Sequence, residues 1–122
     1  MHRNKVVLAT HNAGKLRELR ALLSKTDLEC KSQAEYRVPE IPETGQTFFE
    51  NALIKARNAC RYSGLPSIAD DSGLVVDCLQ GAPGVHSARF AGEKATDADN
   101  LKKLLQVVRE FSVEERTARF QC

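Results

Sequence analysis

Two adjacent carboxylates, Asp70 and Asp71, lie between the apolar runs Ser67-Ile68-Ala69 and Leu74-Val75-Val76. Carboxylates at the end of a buried strand are costly to desolvate unless a cation or a proton offsets them. An isolated Asp-Asp pair does no more than cap a turn about as often as it does chemistry. The rest of the chain supplies partners: a polar loop, Thr10-His11-Asn12-Ala13-Gly14-Lys15, an acidic proline-flanked segment with Glu40 and Glu43, and Lys55 in a helical pattern. Carboxylates and ammonium groups in this combination suit Mg²⁺ and phosphate oxygens. Mg²⁺ takes oxygen ligands, keeps several waters, and is typically held by one or two carboxylates plus substrate phosphates. On this reading Glu43 and Asp71 are the metal ligands, while Lys15 and Lys55 neutralise phosphate oxygens. The remaining carboxylate, Asp70 or Asp71, accepts a proton from an attacking water. Such parts suit hydrolysis of a nucleoside triphosphate, a reaction that depends mostly on positioning and charge neutralisation.

The elements that must position these groups follow from local pattern. Val6-Val7-Leu8-Ala9 is a short apolar run, expected as a buried central strand. After the Thr10–Lys15 loop, Leu16, Leu19, Leu22 and Leu23 fall on one face of a helix. The loop therefore precedes a helix N-terminus, where unpaired amides and the dipole favour anions; Asn12 holds the turn and Gly14 allows close backbone approach. A second short strand is expected near Glu29 to Ser32. Val38-Pro39-Glu40-Ile41-Pro42-Glu43-Thr44-Gly45 cannot be helix and should be an extended loop. Thr47 and Glu50 form a capping box that starts a helix running to about Ser63 and ending at Gly64. Phe48, Ala52, Ala56 and Cys60 recur along it as a packing stripe with Phe49, Leu53 and Ala59 beside them, while Asn51 and Lys55 share a different face, for which hydration alone is the bland reading. The two apolar runs about Asp70-Asp71-Ser72-Gly73 are expected as strands joined by a tight turn, with Gly73 supplying positive φ. Thr96-Asp97-Ala98-Asp99 caps a core helix carrying Leu101, Leu104, Leu105 and Val108, and Thr117 to Cys122 alternates as a last strand.

Composition bounds the class. The chain has 122 residues, with 42% apolar and 28% charged content and a net charge of +2, which suits one soluble domain. Interspersed charge argues against a nucleic-acid partner, and no apolar run approaches a membrane span. Cys30, Cys60, Cys78 and Cys122 form no Cys-x-x-Cys pair and are expected as buried free thiols in a reducing cytoplasm; His2, His11 and His86 show no metal-ligand spacing. No internal repeat or linker is visible, so residues 1–122 read as a single domain. Its stop in mid-strand is expected to mark an incomplete C-terminus.

The residues Thr10–Lys15, Glu43-Thr44-Gly45 with Phe48-Phe49-Glu50-Asn51-Ala52 and Lys55-Ala56, Ala69–Leu74, and Gly81–Gly84 with Ser87-Ala88-Arg89 resemble the inosine/xanthosine triphosphate pyrophosphatase family. Its members are also called dITP/XTP diphosphatases or Ham1-like proteins. The resemblance spans nearly the whole chain with its motifs in order. It implies an elongated α/β fold of the ITPase-like, or anticodon-nuclease-like, kind, with a central mixed β-sheet flanked by helices, and a homodimer. It implies Mg²⁺-dependent cleavage of aberrant purine nucleoside triphosphates (ITP, dITP, XTP) to the monophosphate and pyrophosphate. By position, Thr10, His11, Asn12, Ala13, Gly14 and Lys15 would bind phosphates, Lys55 and Ser72 would contact the nucleotide, and Glu43 and Asp71 would hold Mg²⁺. Asp71 would also be the proton acceptor, with Asp70 adjacent. The family commonly has Tyr where this chain has His86, and it continues past Cys122 into base-framing motifs. Three other readings use parts of the same inventory. A homodimeric aspartic protease would use Asp71-Ser72-Gly73, but three capped helices contradict an all-β fold. A triphosphate-binding module without turnover, and a Maf-type pyrophosphatase, share parts of the inventory.

Overall fold

A computed structural model describes residues 4–122; His2 lies outside the described residues. The chain divides into two compact units, residues 1–70 and 71–122.

The first unit is built on a parallel sheet of order β2-β1-β3, with β1 at Asn4–Leu8, β2 at Leu28–Ser32 and β3 at Ser67–Ile68. Parallel neighbours need crossovers, and the chain uses helices for both: α1 (Ala13–Leu23) joins β1 to β2, and α2 (Phe48–Ser63) precedes β3. The expected central strand is central, and Val7 and Leu8 are wholly buried. Burying each such side chain contributes about 1.5–3 kcal/mol. Val7, Ala9, Val38 and Ala59 form the core, with Tyr36, Leu65 and Ala69 packed against it. On α1, Leu16, Leu19 and Leu23 are half-buried while Leu22 is exposed.

Caps set the limits of α2. Thr47 Oγ1 accepts from the Glu50 amide at 3.0 Å, and Gly64 closes the helix in the left-handed conformation, φ 70°. Glu50 reaches back one residue further than expected, accepting from the Gln46 amide at 2.7 Å. The packing stripe is kept in part, with Ala59 buried and Phe48, Ala52, Leu53 and Ala56 half-buried. Cys60 is exposed, Phe49 is 75% exposed, and the buried residues of α2 are Asn51, Asn58 and Ala59.

The second unit holds an antiparallel pair, β4 (Gly73–Val76) with β5 (Ala118–Gln121), and helix α3 (Asp97–Val107). β3 and β4 therefore belong to different sheets, so the expected turn between them is instead a connector. Gly73 is the first residue of β4, and the positive-φ glycines among the described residues are Gly64, Gly81, Gly84 and Gly92. Parallel and antiparallel pairings are both present, as an α/β mixed architecture requires, but each has its own sheet. The Thr96–Asp99 capping box forms as expected. Val108 is buried, whereas Leu101 and Leu105 are exposed, so α3 presents only part of its apolar stripe inward. Ser87 ties the turn after Pro83 to β4: its hydroxyl accepts from the Leu74 amide at 2.9 Å and donates to the Gly84 carbonyl at 2.6 Å. All four thiols are free, and Cys60 and Cys122 are exposed rather than buried. Among the described residues no helix is long and apolar enough to cross a membrane.

β5 is latched through Asp77, which accepts from the Thr117 hydroxyl and from Arg119 Nη1, the latter at 3.1 Å. The Thr117 hydrogen bond, assisted by the Arg119 charge, holds the Asp77 carboxyl below its ordinary value of 3.8. A depressed carboxyl contributes stability that is present above the ordinary value and lost as pH falls through the folded one. The melting temperature should therefore decline more steeply with acidification below pH 4 in the native protein than in Asp77→Asn, and equal slopes would show that the latch contributes nothing.

Candidate functional site

The Thr10–Lys15 loop leaves the end of β1 and folds onto its own side chains. Thr10 is buried, and its hydroxyl accepts from the Asn12 amide at 3.0 Å. Asn12 is the N-cap of α1, and its Oδ1 accepts from the Gly14 and Lys15 amides at 2.9 and 3.1 Å. Three amides of the loop are thus already satisfied internally, so the loop's cationic character rests on Lys15. That side chain pairs with Asp70, Nζ to Oδ2 at 3.3 Å. His11 is exposed, and Ala13 and Gly14 open the helix.

The second grouping is organised by α2. Asn51, Lys55 and Asn58 lie four and three residues apart, within an arc of about 60° on one helical face. The segment Pro39–Gly45 runs beside that face in the opposite direction. Asn58 Nδ2 donates to the Pro39 carbonyl at 2.9 Å, Lys55 Nζ pairs with Glu43 Oε1 at 3.2 Å, and Asn51 Oδ1 accepts from the Gly45 amide at 2.7 Å. Asn51 is 0% exposed, not on a hydrated face. Its amide orientation is fixed, because reversing it would turn two donors on each other. Its Nδ2 is buried without a hydrogen-bond partner, an arrangement that costs about 1–3 kcal/mol. Apolar periodicity hides these two asparagines; the signal available was two Asn seven apart on a helix that follows a proline-bearing loop.

The structure thus brings Lys15 to Asp70 and Glu43 to Lys55. Both pairs are partly solvated, with side-chain exposures of 23% and 36% for the first and 16% and 27% for the second. Pairs of this kind contribute about 0–1 kcal/mol to stability. Asp71 begins the second unit and is 8% exposed, and Ser72 beside it is half-buried. His86 is exposed, with its Nδ1 3.2 Å from Arg89 Nη2.

A divalent cation can be tested against these groups. Asp70 Oδ1 is buried with no hydrogen-bond donor, the condition of a carboxylate oxygen suited to a cation. Among the described residues no group of three or more His, Cys, Asp or Glu could cage a metal. Oxygen donors without a cage fit Mg²⁺, which keeps waters and shares substrate phosphates, and do not fit structural zinc.

Together these features define an α/β chain in which helix lysines pair with carboxylates of the connecting segments. Comparison with known proteins gives the family: the Ham1 family profile matches residues 6–122, and the chain belongs to it. It is 58% identical over 118 residues to a dITP/XTP pyrophosphatase of Vibrio parahaemolyticus, covering 97% of this chain and 59% of that protein. It is 57% identical to a dITP/XTP pyrophosphatase of Escherichia coli O157:H7, covering 97% and 60%. Among solved structures, a HAM1 protein from Coxiella burnetii superposes with a TM-score of 0.88 at 46% identity, over 96% of this chain and 59% of that one. The chain therefore spans about three-fifths of the length of the relatives it matches.

Gly45 should be the least replaceable glycine of the site. A Cβ there would lie 2.6 Å from both Asn51 Oδ1 and Glu50 Cβ, whereas one on Gly14 would meet Asn12 Oδ1 at 3.2 Å. Gly45→Ala should lower unfolding free energy by about 1–3 kcal/mol and Gly14→Ala by less than about 1 kcal/mol, read by chemical denaturation; the reverse order would contradict the close approach.

Proposed function

We propose that the protein is an Mg²⁺-dependent pyrophosphohydrolase that cleaves aberrant purine nucleoside triphosphates, ITP, dITP and XTP, to the monophosphate and pyrophosphate. The observation that carries this reading is the pairing of Lys15 with Asp70 and of Lys55 with Glu43 inside a chain of the Ham1 family. Relatives named dITP/XTP pyrophosphatase at 57–58% identity support the substrate class.

Thr10, His11, Asn12, Ala13, Gly14 and Lys15 bind the phosphates. Lys15 and Lys55 supply positive charge to the polyphosphate, as phosphoryl chemistry requires. Lys55 and Ser72 contact the nucleotide. Glu43 and Asp71 are the residues that would hold Mg²⁺, which when bound supplies charge neutralisation to the phosphate oxygens. Asp71 accepts the proton of the attacking water. A bond forms between the water oxygen and one of the two phosphorus atoms flanking the α–β bridging oxygen, that atom's bond to the bridge breaks, and the bridging oxygen leaves with the other phosphate group. Asp70 holds Lys15 and so orients the loop's cation. The protein acts in the cytoplasm as a homodimer without a nucleic-acid or membrane partner.

The test is pyrophosphate release from ITP with and without Mg²⁺. Release should require the metal, and Asp71→Asn should lower the rate by at least a hundredfold with the fold intact by circular dichroism. Undiminished turnover in that variant would remove Asp71 from the mechanism. Lys15→Ala should weaken binding of the triphosphate far more than of the nucleoside, and equal weakening of both would contradict a phosphate role for Lys15.

A further inference from the structure

We infer that Asn51 and Asn58 are positioning residues that strap the Pro39–Gly45 segment along α2 and so fix the Glu43 carboxylate against Lys55. The geometric part stands on hydrogen bonds alone; its catalytic consequence rests on the function proposed above.

The segment has no ladder partner, yet its backbone must be satisfied wherever it meets the core. Asn58 meets it at the Pro39 carbonyl and Asn51 at the Gly45 amide, both from one helical face. Between these anchors the chain has six residue steps, enough for nearly 20 Å when extended. The helix rises only about 10 Å over the seven steps between Asn51 and Asn58. The strap therefore has slack, and chain length alone cannot fix Glu43. The anchors do, and Glu43 is two residues from the Gly45 end. The neighbouring amide is held in the same way, Gln46 N–H donating to Glu50 at 2.7 Å, so the strap's exit is pinned by two consecutive helix side chains. Packing alone does not explain the choice of residue. Asn51 keeps a buried, unpartnered Nδ2 that an apolar side chain would not carry, and Gly45 is required by close approach to Asn51 Oδ1.

The experiment compares Asn51→Ala, Glu43→Gln and their double variant. Asn51→Ala should speed amide exchange at Gly45 at least tenfold and shift the Glu43 ¹³Cδ resonance. It should also lower kcat for ITP at least tenfold, and the double variant should be no slower than Glu43→Gln alone, because Asn51 acts through Glu43. Val108→Ala, a buried truncation at the end of α3, which carries no residue assigned to the site, should leave kcat at 25 °C unchanged. Unchanged Gly45 exchange, or losses that multiply in the double variant, would overturn the inference. If Asn51→Ala fails to fold, Asn51→Asp keeps the oxygen at the Gly45 amide, and Asn58→Ala opens the other anchor. The first should retain Gly45 protection, and the second should show the same non-additivity with Glu43→Gln. If the native protein releases no pyrophosphate, the proposed function fails, while Gly45 exchange and the Glu43 resonance still decide whether the strap is held as described.

Discussion

A stretch of chain that cannot join a sheet still has to satisfy its backbone, and in this protein that constraint falls on Pro39–Gly45. Two prolines remove donors and preset φ, which lowers the entropy of ordering the segment but excludes it from any ladder. The available partners are side chains of the helix beside it. Asparagine suits the task because one planar group offers both a donor and an acceptor. Asn58 uses the donor on a carbonyl and Asn51 uses the acceptor on an amide. The position of Glu43, the close approach of Gly45 and the direction taken by the chain into α2 all follow from those two bonds.

The same constraint accounts for a polar face where a core would be expected. Val38, at the head of the strap, packs in the cluster with Val7, Ala9 and Ala59. The buried stripe of α2 thus serves two surfaces. Ala59 meets the sheet's core, and the asparagines meet the strap. Replacing a hydrogen-bonded buried pair by apolar groups of the same shape is often neutral for stability. Asparagine at these two positions is therefore better explained by the placement it imposes on a charged side chain than by stability alone.

How much was legible in the sequence follows the same division between local and non-local physics. The strand expected at Val6–Ala9 and found at Asn4–Leu8, the turn held by Asn12, the N-caps at Thr47 and Thr96, and the Gly64 stop depend on residues within one turn of each other. The burial of Asn51 is not legible from apolar period, which assumes that buried means apolar, because it depends on a segment six or more residues away. The Asp70–Gly73 break suggested a turn because neighbouring apolar runs usually pair. Here β3 pairs with β1 and β4 with β5, choices set by partners far along the chain. The lysines and carboxylates of the site were identifiable by type, but which lysine met which carboxylate was not.

That pairing bears on how a polyphosphate would be received on the proposed reading. A buried, unpaired lysine would be costly, and a strongly held ion pair would resist its ligand. Lys15 and Lys55 avoid both extremes, since each has a carboxylate within 3.3 Å while remaining partly solvated. Surface-like pairs of this kind are weak, so an incoming polyphosphate, with more charge than one carboxylate, can draw either ammonium group from its partner at small cost. Drawing Lys55 toward phosphate would leave Glu43, one of the two proposed ligands, with less positive charge beside it and so a greater affinity for a divalent cation. On the proposed reading phosphate and cation would favour each other's binding, and the strap would keep Glu43 in place while its partner changes.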